Sequence, residues 1–188
     1  REHFDGDGRR YVVWALERLC FAKESYNDAV LMMAKLAVAE NEGIANNATA
    51  QLIQLFHYIL AGTEVDLKVR LQTLKDLVNE SDEYIPILVR CFDAALQNRS
   101  FFRSRGAEKF GFENRKDYVP ETWEEVYNYW NGCRDILLEW MDKKPVVVGK
   151  VAELVEGNVY HWARGGQKDI LVSLLNKIAE KKDYCWNK

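Results

Sequence analysis

From Tyr11 to Lys23 the apolar positions Val12, Trp14, Ala15, Leu16, Leu19, Cys20 and Ala22 recur at steps of three and four, the period that puts side chains on one face of a helix. A first helix is predicted there. Ser25, with Asp28 three residues on, has the form of a capping box and predicts a second helix over Tyr26 to Glu40, with Ala29, Val30, Met33, Leu36 and Ala37 on one face. Leu31, Met32, Ala34 and Val38 fill the other faces, so this helix is apolar nearly all round and is expected between two layers. Asn41-Glu42-Gly43 is a stop signal, and a third helix follows from about Ala48 to Leu60, ended by Ala61-Gly62. Thr63 with Asp66 caps a fourth helix reaching about Asn79. Ser81 and Asp82 open a fifth, with Pro86 in its first turn, where the missing N–H breaks no intrahelical bond.

The pattern then breaks. Residues Gln97 to Val119 mix Gly, Arg and Phe over a stretch longer than the ~2 to 8 residues of ordinary helix-to-helix connections. Pro120-Glu121-Thr122-Trp123-Glu124-Glu125 restarts the helical period with a Pro, a Thr-x-x-Glu capping box and early acidic side chains that suit the positive end of a helix dipole. The sixth helix reaches about Lys143, with Trp123, Val126, Trp130, Cys133, Leu137 and Met141 on its stripe. Pro145 starts a seventh that ends at Gly165-Gly166, and an eighth covers Gln167 to Lys182. No useful length of chain alternates with the period of two that a strand requires. The expected fold is all-α, an α-α superhelix of about eight helices in stacked antiparallel pairs, an irregular relative of HEAT and TPR arrays. Pair starts near residues 11, 47, 82 and 122 lie about 35 to 40 residues apart, as in helical-hairpin repeats. An irregular helical bundle is the alternative. Residues 1–10 read as a flexible lead, and 11–188 as one domain with a long loop inserted at 98–119.

Composition narrows the class of molecule. Apolar residues make up 48% of 188 and charged residues 29%, with only 11 Gly and 3 Pro, which excludes collagen-like, low-complexity and wholly disordered chains. The net charge of -3 gives no global attraction to nucleic acid or anionic membrane. It divides unevenly: residues 1–97 carry 10 cations and 15 anions, net -5, and 98–188 carry 16 and 14, net +2. No run of 18 apolar residues and no leader pattern occurs, so a cytoplasmic protein without membrane attachment is expected, cut from something longer because the chain opens on Arg1. Cys20, Cys91, Cys133 and Cys185 show no C-x-x-C spacing and read as reduced core residues.

Catalytic patterns are missing. Gly165-Gly166-Gln167-Lys168 does not complete a phosphate-binding loop, and Asp5-Gly6-Asp7-Gly8 opens like a calcium loop but continues with Arg9 and Arg10 where oxygen ligands belong. His3, His57 and His161 form no helical metal pair, so neither metal nor cofactor is expected, and His57 among Leu55, Phe56 and Tyr58 reads as structural. No nucleophile elbow occurs, and the expectation is a protein without enzymatic activity. Two surfaces remain. Arg99, Arg103, Arg105, Lys109, Arg115 and Lys116 alternate with Phe101, Phe102, Phe110 and Phe112. That composition suits phosphate and stacked bases, or else a structural strap whose rings plug into the helical layer. Tyr127, Tyr129, Trp140 and Tyr160 lie off the main stripes, as the anchors of a protein interface would, or as a second buried face would.

Several strings carry a resemblance. Trp14-Ala15-Leu16-Glu17-Arg18-Leu19, the Ala-Lys-Leu-Ala run at 34–37, Asn46-Asn47-Ala48-Thr49 with Gln54-Leu55-Phe56, Gly62-Thr63, Arg70-Leu71 and the block from Pro120 to Tyr129 are of this kind. Over about residues 11–130 they resemble the helical region of large bacterial multidomain proteins, the signal-transduction ATPases with numerous domains (STAND), some of which act in antiphage defence. The resemblance rests on packing motifs. It implies a scaffold or sensor segment that binds a protein partner or neighbouring domains, and the switch motifs that would carry ATP binding have no counterpart here. The competing class is a nucleic-acid or nucleotide-binding helical module using loop 99–116.

Overall fold

The structure, a computed structural model, describes residues 6–40, 47–99, 109–110 and 113–181. Among these residues there are eight α-helices: α1 (Gly6–Leu19), α2 (Tyr26–Val38), α3 (Ala48–Gln54), α4 (Leu67–Glu80), α5 (Ile85–Ala95), α6 (Trp123–Lys143), α7 (Val146–Arg164) and α8 (Lys168–Glu180). One 3-10 turn, Asp82–Tyr84, leads into α5. Between α5 and α6, β1 (Lys109–Phe110) pairs antiparallel with β2 (Glu113–Asn114) in a two-stranded ribbon of two residues each. The fold is all-α.

The first three helices pack in sequence, α1 on α2 and α2 on α3, and from α3 onward packing also links every second helix. Helix α3 packs on α5 and α5 on α7, while α4 packs on α6 and α6 on α8, and α7 closes against α8. Two rows built this way are what stacked helical pairs produce, each unit burying the apolar face of the one before. The insertion at 98–119 joins α5 to α6, and among sequential neighbours α2 packs most extensively on α3 and α7 on α8.

Local chemistry sets most boundaries. Thr122 accepts a bond from the Glu125 N–H (3.3 Å) and caps α6, Asp66 accepts from the Val69 N–H (2.9 Å) and caps α4, and Asn47 does the same for α3 from Ala50. Pro86 falls in the first turn of α5, and Pro145 stands immediately before α7. At the end of α7 the chain reverses through Gly166 at φ +82, and a side chain on Gly165 would stand 1.9 Å from the Asn98 amide. That amide donates to the His161 carbonyl (3.0 Å) and to Gln167 Oε1 (2.6 Å), while Gln167 Nε2 and Trp162 Nε1 both donate to the Leu96 carbonyl. The C-terminus of α5 is thereby tied to the α7–α8 corner.

Four expectations need correction. Helix α1 starts at Gly6, so residues 6–10 are helical and not a flexible lead. Arg9 holds this end down by donating to the Leu36 (2.7 Å) and Ala39 (3.3 Å) carbonyls at the end of α2. Ser25 caps nothing: its hydroxyl donates to the Leu19 carbonyl (2.6 Å) and closes the end of α1. Helix α2 is not enclosed on all sides, because Met32 is 52% exposed. Helix α3 stops at Gln54 instead of Leu60, because the next carbonyls are drawn out of the helix. Arg70 Nη1 donates to those of Leu55 and His57 (2.6 Å to the latter), and Tyr129 Oη donates to that of Phe56 (2.8 Å).

The core is continuous from Val13 in α1 to Ile178 in α8 and is heavy in aromatic volume, with Trp130, Trp140, Trp162, Tyr26, Phe56 and Phe92 enclosed. Cys20, Cys91 and Cys133 lie in it as free thiols. Cys185, like the Asp5, Arg103 and Arg105 positions singled out above, falls outside the described residues.

Candidate interaction surface at the start of helix α6

The end of the 98–119 insertion is stitched onto the loop before α4. Asp117 Oδ2 accepts from the Gly62 N–H (3.1 Å), the Tyr118 N–H donates to the Thr63 carbonyl (2.8 Å), and Arg115 pairs with Glu64 (3.1 Å) and Glu24 (3.5 Å). The Tyr118 ring then lies over the Arg70 guanidinium, 5.6 Å from its carbon, and its hydroxyl donates to Glu125. Loss of solvent and the Glu125 carboxylate push that phenol up to about 12. These bonds fix the chain direction at Val119 and Pro120, and so aim the first turns of α6.

What α6 presents there is aromatic and acidic. Trp123 is 63% exposed and Tyr127 43%, and both pack against the enclosed Trp130, Trp123 tilted with ring centroids 6.5 Å apart and Tyr127 edge-on at 5.6 Å. Tyr58 meets Trp130 edge-on at 5.7 Å. Tyr127 also leans over the α7–α8 corner, its hydroxyl 3.1 Å from where a Cβ on Gly166 would stand. Clefts open on both sides of the helix. One, of about 270 Å³, is lined by Tyr58, Ile59, Pro120, Glu121, Thr122, Trp123 and Val126. The other, of about 620 Å³, lies between α4 and α6, with Leu67, Leu71 and Tyr129 at its apolar wall and Asp66, Lys68, Tyr118, Glu125 and Asn128 around it.

The sequence-derived sets fare unequally. Of the interface candidates, Tyr127 and Tyr160 are exposed, Tyr160 with Arg164 stacked 4.8 Å over its ring. Tyr129 and Trp140 are only 2% and 1% exposed and belong to the core, which removes them from the surface. Helix α6 lies between α4 and α8 and is apolar on two sides, so positions off one stripe fall on the other. Trp123, assigned to the buried stripe by its spacing, is instead the most exposed ring of the cluster. Its place at the first position of α6, just after Pro120, is the signal that it has run off the end of the packed row.

Of the cationic set, Arg99 and Lys116 are exposed, Arg115 is committed to Glu64 and Glu24, and Lys109 lies in β1 opposite Asn114. Arg103 and Arg105 are outside the described residues. Arg99, Arg115 and Lys116 line neither cleft.

No known protein family, characterised protein or solved structure matches this chain. Its own residues must supply the chemistry. His57 is 8% exposed, and burial pushes its imidazole down to about 4, with the Arg70 charge adding to the effect against the Ala94 carbonyl. Burial pushes the Cys20, Cys91 and Cys133 thiols far up, away from the reactive thiolate. Among the described residues no histidine or cysteine lines either cleft beside α6. Among the described residues no group of three His, Cys, Asp or Glu is placed to hold a metal, and no helix is long and apolar enough to cross a membrane.

Proposed function

We propose that this chain is a non-catalytic helical scaffold or sensor module that binds a protein partner through the aromatic start of α6. The observation that carries this reading is Trp123, a large ring left 63% exposed on an ordered helix whose position is fixed by its cap and by the strap before it. Ordering a ring this size in water gains little, whereas Trp and Tyr over a cleft are the residues that anchor partners. The resemblance to the helical regions of bacterial signal-transduction ATPases supports placing the module inside a larger cytoplasmic signalling or defence protein, and the free buried thiols suit such a reducing compartment.

Photo-cross-linking tests the reading. A photoreactive phenylalanine at Tyr127 is expected to give one discrete protein adduct in cells, and the same probe at Val172, exposed on α8, none. Trp123→Ala is expected to cut the Tyr127 adduct about tenfold. Equal labelling from both positions, adducts indifferent to Trp123, or adducts to nucleic acid instead of protein would overturn it, the last in favour of the binding mode through loop 99–116.

A further inference from the structure

The smaller cleft has a more specific chemistry than general stickiness. At about 270 Å³ it falls below the ~300–1,000 Å³ of small-molecule sites and is the size of a single long side chain. Two of its walls are rings, Tyr58 and Trp123, and among the described residues the one charged group lining it is the Glu121 carboxylate. Glu124 and Glu125 stand inside the first turn of α6, where the helix dipole accounts for them. Glu121 lies before the cap, outside the helix, and neither it nor Glu124 has a cationic partner among the described residues. A carboxylate beside two aromatic walls is the complement of a cation with a flat, weakly hydrated face.

That description separates the cleft from its larger neighbour. There Lys68 already supplies a positive charge, the Asp66 carboxylate caps α4, and Glu125 accepts from Tyr118. It also separates arginine from lysine. A guanidinium stacks on indole and phenol faces and offers a carboxylate two parallel N–H donors, whereas an ammonium is a strongly hydrated point charge.

We infer that the Tyr58–Trp123 cleft is a receptor for an arginine side chain on an extended, basic segment of the partner. The guanidinium stacks between the rings, Glu121 takes its charge, and Glu124 attracts the flanking cations. This rests on the docking reading above and names the chemistry of its partner.

The test uses the whole chain, labelled with ¹⁵N, and blocked peptides that alternate glycine with arginine, lysine or glutamate. The Trp123 indole N–H, assigned among the six tryptophans by its loss in Trp123→Phe, is expected to shift saturably with the arginine peptide. The lysine peptide is expected to bind several-fold more weakly and the glutamate peptide to leave the resonance in place. Glu121→Gln, a solvent-exposed change outside any helix, is expected to weaken arginine binding about tenfold. Glu153→Gln, on the exposed side of α7, is expected to leave it unchanged. A Trp123 indole that does not move, binding that survives Glu121→Gln, or equal loss in Glu153→Gln would each overturn the inference. The two readings fail separately. A cross-linked partner whose contact segment lacks arginine removes this inference and keeps the docking surface, while an arginine-responsive cleft without any protein adduct does the reverse.

Discussion

Arg70 shows how far one side chain reaches. It is fully buried, and among the described residues no carboxylate meets it; its guanidinium is held by the carbonyls of Leu55, His57 and Asp66 and covered by Tyr118. Beside it, burial is the main cause that holds the His57 imidazole low, and the Arg70 charge adds to it. The direction of the effect follows from linkage. The folded imidazole titrates at about 4 and the unfolded one near 6.5, so between those values the unfolded chain binds more protons. Stability is therefore fully present above about pH 6.5 and falls as pH drops toward 4, by roughly 3 kcal/mol at most. Urea unfolding at pH 7 and pH 4.5 is expected to show this loss in the wild type and a clearly smaller one in His57→Phe. Equal pH dependence in both would assign the acid sensitivity to other groups.

At the scale of helices, what can be read locally is separable from what cannot. Thr122 and Ser25 look alike in the sequence, each followed by an acidic residue three positions on, yet Thr122 accepts from the Glu125 N–H and Ser25 donates backward to Leu19. Thr122→Ala is accordingly expected to cost about 1 kcal/mol and to release the first turn of α6, measured as a drop in urea midpoint with unchanged slope. Ser25→Ala is expected to leave the start of α2 intact by amide exchange while loosening the turn at residues 20–25. The starts of α6 and α7 were legible because Pro120, Thr122 and Pro145 act on their own neighbours. The end of α3 was not, because Arg70 and Tyr129, 13 and 73 residues along the chain from the carbonyls they take, decide it. The candidate surface was half legible for the same reason. Tyr127 lies off the stripe and is exposed, but one-stripe periodicity cannot tell a helix packed on two sides from a helix packed on one, and so it misplaced Tyr129, Trp140 and Trp123.

For the molecule as a whole, the 98–119 insertion is what departs from a regular array. Its last residues bridge the loop before α4 and the start of α6, so one unit is clamped to the next by chain that belongs to neither helix row. Asp117→Ala is expected to speed amide exchange at Gly62 at least tenfold while leaving the amides of Leu74 and Val151 protected, with a global loss of about 1 kcal/mol. Unchanged exchange at Gly62 would mean that the clamp contributes no local stability.

The same clamp sets an order on biosynthesis. In an array whose units touch only their neighbours, each hairpin can settle as soon as the ribosome releases it. Here the Gly62 amide waits 55 residues for Asp117, and the Phe56 carbonyl waits 73 for Tyr129. The stretch from α3 to α4 thus emerges before the residues that will take these two groups from water, and its last bonds are made only when α6 has been synthesised.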